Sequence, residues 1–171
     1  MSIDTSENEK TLKKIKELIK DEKVAMLTTI SPEGRLMSRP MQTQEVRMEQ
    51  EEIWFITKKE TEKYRDIQNN PAVNLAYAGS SYVSISGTAE CVQDEEKKKE
   101  YLNFVVEKVL NTSAEDEDVV LIKVTPEIAE YWESGFNFKT VKEFVKKMAS
   151  KNSMEDGNKL KDTVTFGENL K

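Results

Sequence analysis

Ile53-Trp54-Phe55-Ile56-Thr57-Lys58-Lys59-Glu60-Thr61-Glu62-Lys63 is the stretch that decides the fold. Its first five residues are β-branched or aromatic, the composition of a strand. Its last three open a short helix over Thr61 to Asn69, with Thr61 as N-cap and Asn70-Pro71 as the stop. A strand that runs into a helix start leaves free backbone N–H groups there. These favour an anion, and Thr57, Thr61 and Lys63 add donors and positive charge. Convergence on one phosphate is one reading. A plain capped helix with exposed lysines accounts for the same residues.

Working outward, Leu12, Ile15, Leu18 and Ile19 recur at helical spacing, which predicts an amphipathic helix from Lys10, after a flexible lead over 1–9. Val24 to Ile30 reads as a buried strand. Ser31-Pro32-Glu33-Gly34 is a turn, so the chain returns as a hairpin from Arg35 to Gln44. Glu49 to Glu52 is a polar turn. Ala72 to Ala78 and Tyr82 to Val92 are strands on either side of Gly79-Ser80-Ser81, and Gly87 signals a bulge or a close backbone approach. Asp94 caps a helix over Glu95 to Leu110 whose buried stripe is Tyr101, Leu102, Val105, Val106 and Val109. Val119 to Val124 is a strand ended by Thr125-Pro126, with extended chain over Ile128 to Trp132. A last helix covers Phe138 to Met148, and Thr163 to Phe166 is a short strand candidate in the tail.

Tight turns join most strands, so the sheet is mainly antiparallel. Six short strands with polar turns can close into a small barrel, which removes exposed edges. The expectation is a mainly β fold with flanking helices, one domain over 10–150 and a tail over 151–171. No Gly-x-Gly-x-x-Gly follows a strand and no P-loop occurs, which excludes the usual nucleotide folds.

Composition narrows the chemistry. The chain has 171 residues, 26 Lys+Arg against 32 Asp+Glu, a formal net charge of -6 and no histidine. The missing histidine excludes Ser-His-Asp and Cys-His catalysis, histidine-ligated haem and nearly all catalytic zinc sites. Cys91 is the only cysteine, so no internal disulfide forms, and it reads as a plain strand thiol suited to a reducing cytoplasm. The polar N-terminus carries no signal-peptide core, and no apolar run approaches the roughly 18–20 residues of a membrane span. The acidic balance argues against nucleic acid, and Lys97-Lys98-Lys99 and Lys146-Lys147 read as solvated helix faces.

Two further patterns bear on a ligand. Arg35, Met37, Arg39 and Met41 share one face of a strand, so Arg39 lies on a partly apolar face, and Pro40 marks an edge. It could meet a phosphate or serve as an edge-strand charge. Tyr82, Ser84 and Ser86 face one way, with Val83 and Ile85 the other. That row could line a flat heteroaromatic ligand or belong to an ordinary amphipathic strand.

Together these segments resemble the pyridoxamine 5'-phosphate oxidase-like superfamily of FMN-binding split barrels, in its bacterial general stress protein branch. The likeness runs from about Leu12 to Trp132. It is carried by Ser38-Arg39-Pro40-Met41, Trp54-Phe55-Ile56-Thr57 with Lys63, Asn70-Pro71-Ala72-Val73-Asn74, Tyr82 to Ala89, and Val124-Thr125-Pro126 with Ala129-Glu130-Tyr131-Trp132. The resemblance implies a homodimeric six-stranded split β-barrel with FMN in a groove at the dimer interface. It implies that Arg39 meets the phosphate and ribityl side, Ile56 offers backbone to the flavin ring, and Thr57 contacts the flavin edge or ribityl chain. Thr61 and Lys63 would bind the phosphate, Tyr82 would pack beside the isoalloxazine, and Trp132 would reach the cofactor from the partner subunit. FMN is expected ahead of FAD or a deazaflavin.

The chain also departs from the oxidases proper. Their C-terminal arginine and histidine set is missing from Asp162 to Lys171, so pyridoxamine phosphate oxidation itself is not expected. What remains is an FMN-binding protein with flavin-dependent oxidoreductase capacity toward a small-molecule electron donor or acceptor. No side chain is singled out as catalytic. The alternatives are a non-enzymatic flavin carrier or stress-linked sensor, and a structural dimer that has lost the cofactor. Met37, Met41, Trp54, Trp132 and Phe136 are candidates for a dimer interface.

Overall fold

The computed structural model describes residues 5–102, 104–113, 115–133 and 162–165. Helix α1 (Thr5–Lys20) leads into β1 (Val24–Ile30), β2 (Leu36–Gln42), β3 (Glu45–Arg47) and, past a single 3-10 turn, β4 (Glu52–Lys58). Then come α2 (Glu62–Asn69), β5 (Ala72–Ala78), β6 (Ser81–Val92), α3 (Glu95–Tyr101), α4 (Phe104–Leu110), β7 (Val119–Glu133) and β8 (Asp162–Thr165). All pairings are antiparallel, in the order β2-β1-β5-β6-β7-β4-β3, with β8 added along the second half of β7.

The two ends of that order are neighbours in the chain. Thr43 N–H donates to Lys23 O beside β1, while Gln44 N–H donates to Trp54 O on β4, both at 2.8 Å. Two consecutive residues therefore bond to opposite sides of the sheet, which curls until its edges meet. β2 and β3 act as one bent strand, so the expected six-stranded split barrel is present, with β8 as an addition.

Alternation builds the core. Ala25, Leu27, Leu75, Tyr77, Val83 and Ile85 point inward with Ile53 and Phe55, and α1 adds Ile15 and Ile19. A second cluster lies outside the barrel wall, where Trp54 and Ile56 meet Tyr101, Leu102, Val106, Val119 and Leu121. β4 is thus covered on both faces, which is why its sequence is a continuous apolar run rather than an alternating one.

Gly87 meets both expectations placed on it. Ser86 pairs with Ile128 and Gly87 with Pro126, leaving Glu127 as the extra residue of a bulge. Val124 and Ala129 are five positions apart and would face opposite ways in a regular strand. The bulge lets both point into the core. A Cβ on Gly87 would strike the Thr125 carbonyl oxygen.

Several elements differ from the sequence reading. The first helix begins at Thr5, inside the expected lead. Thr125-Pro126 does not end the strand, because the bulge absorbs the proline and β7 runs on to Glu133. The helix over 95–110 divides, because Leu102 takes an extended conformation as Tyr101 and Leu102 turn into the second cluster. Asp94 does cap its start, accepting from Lys97 N–H at 3.0 Å. Val109 is exposed rather than buried. Lys98 is not on a solvated face: it is buried, with Nζ donating to Glu95 Oε1 at 2.9 Å and Asp116 O at 3.3 Å. The expected helix over 138–148 lies outside the described residues.

Candidate cofactor site

The transition from β4 to α2 gathers the predicted polar residues at one corner of the barrel. Thr57 continues the inward row of Ile53 and Phe55, and its side chain is buried. Lys63 Nζ donates to Thr57 Oγ1 at 3.3 Å, and the Thr57 and Thr61 hydroxyls lie 3.3 Å apart. Thr61 is the N-cap by position, but its side chain does not cap the helix. Its hydroxyl donates instead to Lys58 O at 2.7 Å. Tyr64 and Arg65 N–H donate to Thr61 O, so among the described residues the Glu62 and Lys63 N–H groups at the start of α2 have no capping side chain.

Arg39 reaches the same corner from β2. It pairs with Leu27 and so projects inward, midway between buried Met41 and exposed Met37. Its Nη1 donates to Thr29 Oγ1 and to Met37 O, and its Nη2 donates to Asp66 Oδ2 at 3.3 Å. Among the described residues three of the five guanidinium N–H groups are engaged, which leaves two for a ligand. Burial first, and the Arg39 charge second, hold the Lys63 ammonium below the ordinary lysine value of 10.5. Two cations thus sit close enough to destabilise one another, the condition an anion relieves. A groove of about 260 Å³ lies between the β1–β2 turn and α2; Asp66 and Met37 join it to this corner, and Glu33, Arg35, Glu62 and Arg65 are among the rest of its lining.

Ile56 takes no part through its side chain, which fills the second cluster. Its backbone is placed differently. Trp54 O faces β3, so by alternation the Ile56 peptide groups face the same edge two residues on. β3 covers only Glu52–Trp54, so no strand lies beside Ile56 on that edge among the described residues.

Tyr82 and Trp132 are not brought to this corner within one chain. They pair directly across β6 and β7 on the outward face of the sheet. That face also carries Asn74, whose amide donates to Ser84 Oγ at 2.9 Å and Ser86 Oγ at 3.1 Å. Val24, Met26, Tyr82 and Ile128 on the same face are each more than 40% exposed. Of the suggested interface residues, Met41 and Trp54 are monomer core, Met37 lies exposed at the rim, and Phe136 is outside the described residues.

Two residues of the corner were missed in the sequence. Asp66 is 3% exposed and Thr29 fully buried, and the Thr29 hydroxyl donates to Asp66 Oδ2 at 2.6 Å. A signal existed: Asp66 follows Lys63 by three residues, so both lie on one side of α2.

A curled antiparallel barrel with two cations and two hydroxyls at a strand-to-helix corner defines a split-barrel protein with a cationic corner. The chain belongs to the pyridoxamine 5'-phosphate oxidase-like family, whose model matches residues 10–155. Its fold is similar to general stress protein 26 from Bacillus anthracis str. Sterne, at 24% identity over 71% of this chain and 92% of that one, with a TM-score of 0.64. A Jannaschia sp. CCS1 protein of the general stress protein 26 type is 25% identical over 92% of this chain and 99% of its own, with a TM-score of 0.62. An F420 reductase is 22% identical over 67% of this chain and 94% of its own, with a TM-score of 0.54. No curated protein sequence matches the chain. Among the described residues, no helix is long and apolar enough to cross a membrane.

Proposed function

We propose that the chain binds FMN, with the phosphate held by Arg39, Thr57, Thr61 and Lys63. The observation that carries this reading is the meeting of Arg39 and Lys63 with two hydroxyls and the Glu62 and Lys63 N–H groups of α2, with Asp66 as the carboxylate ion-paired to Arg39. A phosphate monoester supplies the charge and the acceptors that such a donor set fits. The open edge at Ile56 offers backbone groups to a polar ring system. When bound, the flavin supplies hydride or electron transfer, and the protein supplies binding and orientation. The electron partner is a small molecule, and one histidine-free chain needs no acid–base residue of its own for the transfer.

The groove is completed in a homodimer. The outward face displays Val24, Met26, Tyr82 and Ile128, exposed apolar side chains around the Asn74, Ser84 and Ser86 ladder, of the kind that a partner covers. A second copy there would bring its Tyr82 and Trp132 toward a shared cofactor groove. A single thiol and an acidic, histidine-free chain go with a cytoplasmic location.

An absorption spectrum of the purified protein tests the reading, followed by titration with FMN, FAD and a deazaflavin. The expected result is a flavin spectrum, with FMN preferred. Protein that stays colourless and ignores micromolar FMN overturns it. Turnover with NADH or NADPH then marks an oxidoreductase, whereas tight binding without turnover marks a carrier.

A further inference from the structure

The anion corner contains a carboxylate that works against an anion. Asp66 Oδ2 accepts from the Thr29 hydroxyl at 2.6 Å and from Arg39 Nη2 at 3.3 Å. The Thr29 oxygen in turn accepts from Arg39 Nη1, which also bonds Met37 O at 3.0 Å. The guanidinium is therefore fixed at both terminal nitrogens by groups from β1, β2 and α2. Asp66 is Arg39's one ion-pair partner among the described residues. If the corner served only to attract negative charge, a buried carboxylate there would weaken it. As a clamp it has a purpose. A free arginine side chain must be ordered before it can bind, and a guanidinium already held in place loses less freedom on binding.

Building on the phosphate reading above, we propose that Asp66 is a positioning residue: through the Thr29 hydroxyl and its own ion pair it holds Arg39 beside Lys63, ready for a phosphate monoester. Binding of the phosphate then depends on a residue that itself repels the ligand. Asp66 also lies on α2, whose first turn carries Lys63, so one side chain sets the spacing of the two cations across the corner.

The sign of one substitution separates this from a purely electrostatic role. Asp66→Asn removes a negative charge and keeps the shape. If Asp66 only adds charge to the corner, FMN binds more tightly. If Asp66 positions Arg39, FMN binds about tenfold more weakly, the scale of one misplaced charge-assisted hydrogen bond. Riboflavin lacks the phosphate, and its binding should not change. Flavin fluorescence gives both affinities, and inorganic phosphate serves as competitor. The same substitution made in an Arg39→Met background distinguishes positioning from support of α2. The effect should vanish there, because Arg39 is the group being positioned. Should Asp66→Asn fail to fold, Thr29→Val carries the same comparison, with a smaller loss of the same sign. An unchanged or tighter FMN affinity, or an equal loss without Arg39, overturns the proposal and leaves the phosphate site standing. Wild-type protein that binds neither FMN nor phosphate overturns both.

Discussion

In the corner between β2, β4 and α2, charge is concentrated and matched: Asp66, Thr29 and Arg39 form one hydrogen-bonded set, and Lys63, Thr57 and Thr61 form a second beside it. Among the described residues, no buried side-chain nitrogen or oxygen lacks a hydrogen-bond partner. On the outward face the reverse holds. Val24, Met26, Tyr82 and Ile128 stand exposed around a polar ladder of Asn74, Ser84 and Ser86. β1 serves both regions, sending Thr29 inward to the corner and Met26 and Thr28 outward. The corner is assembled within one chain, whereas the face is left for a cover. Phosphate affinity and assembly should therefore respond to different substitutions.

The largest effect should come from the face. Met26→Asp places a charge on a side chain that is 41% exposed in the single chain, so the barrel itself tolerates it. In a dimer the same carboxylate would be buried without a partner, at a cost of about 3 kcal/mol or more. Light scattering should show the wild type as a dimer and the variant as a monomer that melts normally. A wild-type monomer would remove the face from the argument.

Next comes the bulge that lets both halves of β7 point into the core. Gly87→Ala drives a Cβ into the Thr125 carbonyl oxygen. Overpacking against backbone costs about 2–3 kcal/mol, and thermal unfolding should move down by several degrees. An unchanged melting temperature would show that β7 shifts freely and that the bulge does not set the alignment of its two halves.

Lys63→Ala addresses the corner alone. Losing one charge-assisted hydrogen bond to a phosphate costs about 2 kcal/mol, a drop in FMN affinity of more than tenfold. Apo stability should hardly change, because among the described residues Lys63 makes a single side-chain hydrogen bond and its charge is opposed by Arg39. Equal losses of folding and of binding would contradict a ligand role for the lysine.

The sequence disclosed these regions unequally, and the reasons are physical. The strand from Ile53 and the helix from Thr61 were legible because strong local composition and a proline stop bound them. The Gly87 bulge was legible because a glycine within a strand has few uses. Thr29 and Asp66 were missed because their bond to each other spans 37 positions and their bonds to Arg39 span 10 and 27, so the spacing of Asp66 from Lys63 was the one local trace of them. Lys98 failed for the related reason that its partner carbonyl, Asp116 O, lies 18 residues away. Two of the interface candidates are buried within the single chain, Met41 in the barrel core and Trp54 in the cluster outside its wall, because composition alone does not say which surface an aromatic or methionine covers.

The smallest effect sharpens the corner most. Burial and Arg39 hold the Lys63 pKa below 10.5, so in the apo protein the charged ammonium is a cost. That cost is present below the folded-state pKa. As pH rises through that value the native lysine loses its proton before the unfolded one does, so this contribution to apo stability improves up to about 10.5. Phosphate reverses the preference, because it needs the ammonium. FMN affinity should thus fall as pH climbs through the lowered Lys63 pKa, by up to about tenfold if one charge-assisted bond is lost. Apo stability and the thermal shift caused by FMN should move in opposite directions over that window. In Lys63→Arg, whose charge does not titrate there, both trends should flatten. Trends that persist unchanged in the arginine variant would assign them to another group and detach Lys63 from the phosphate.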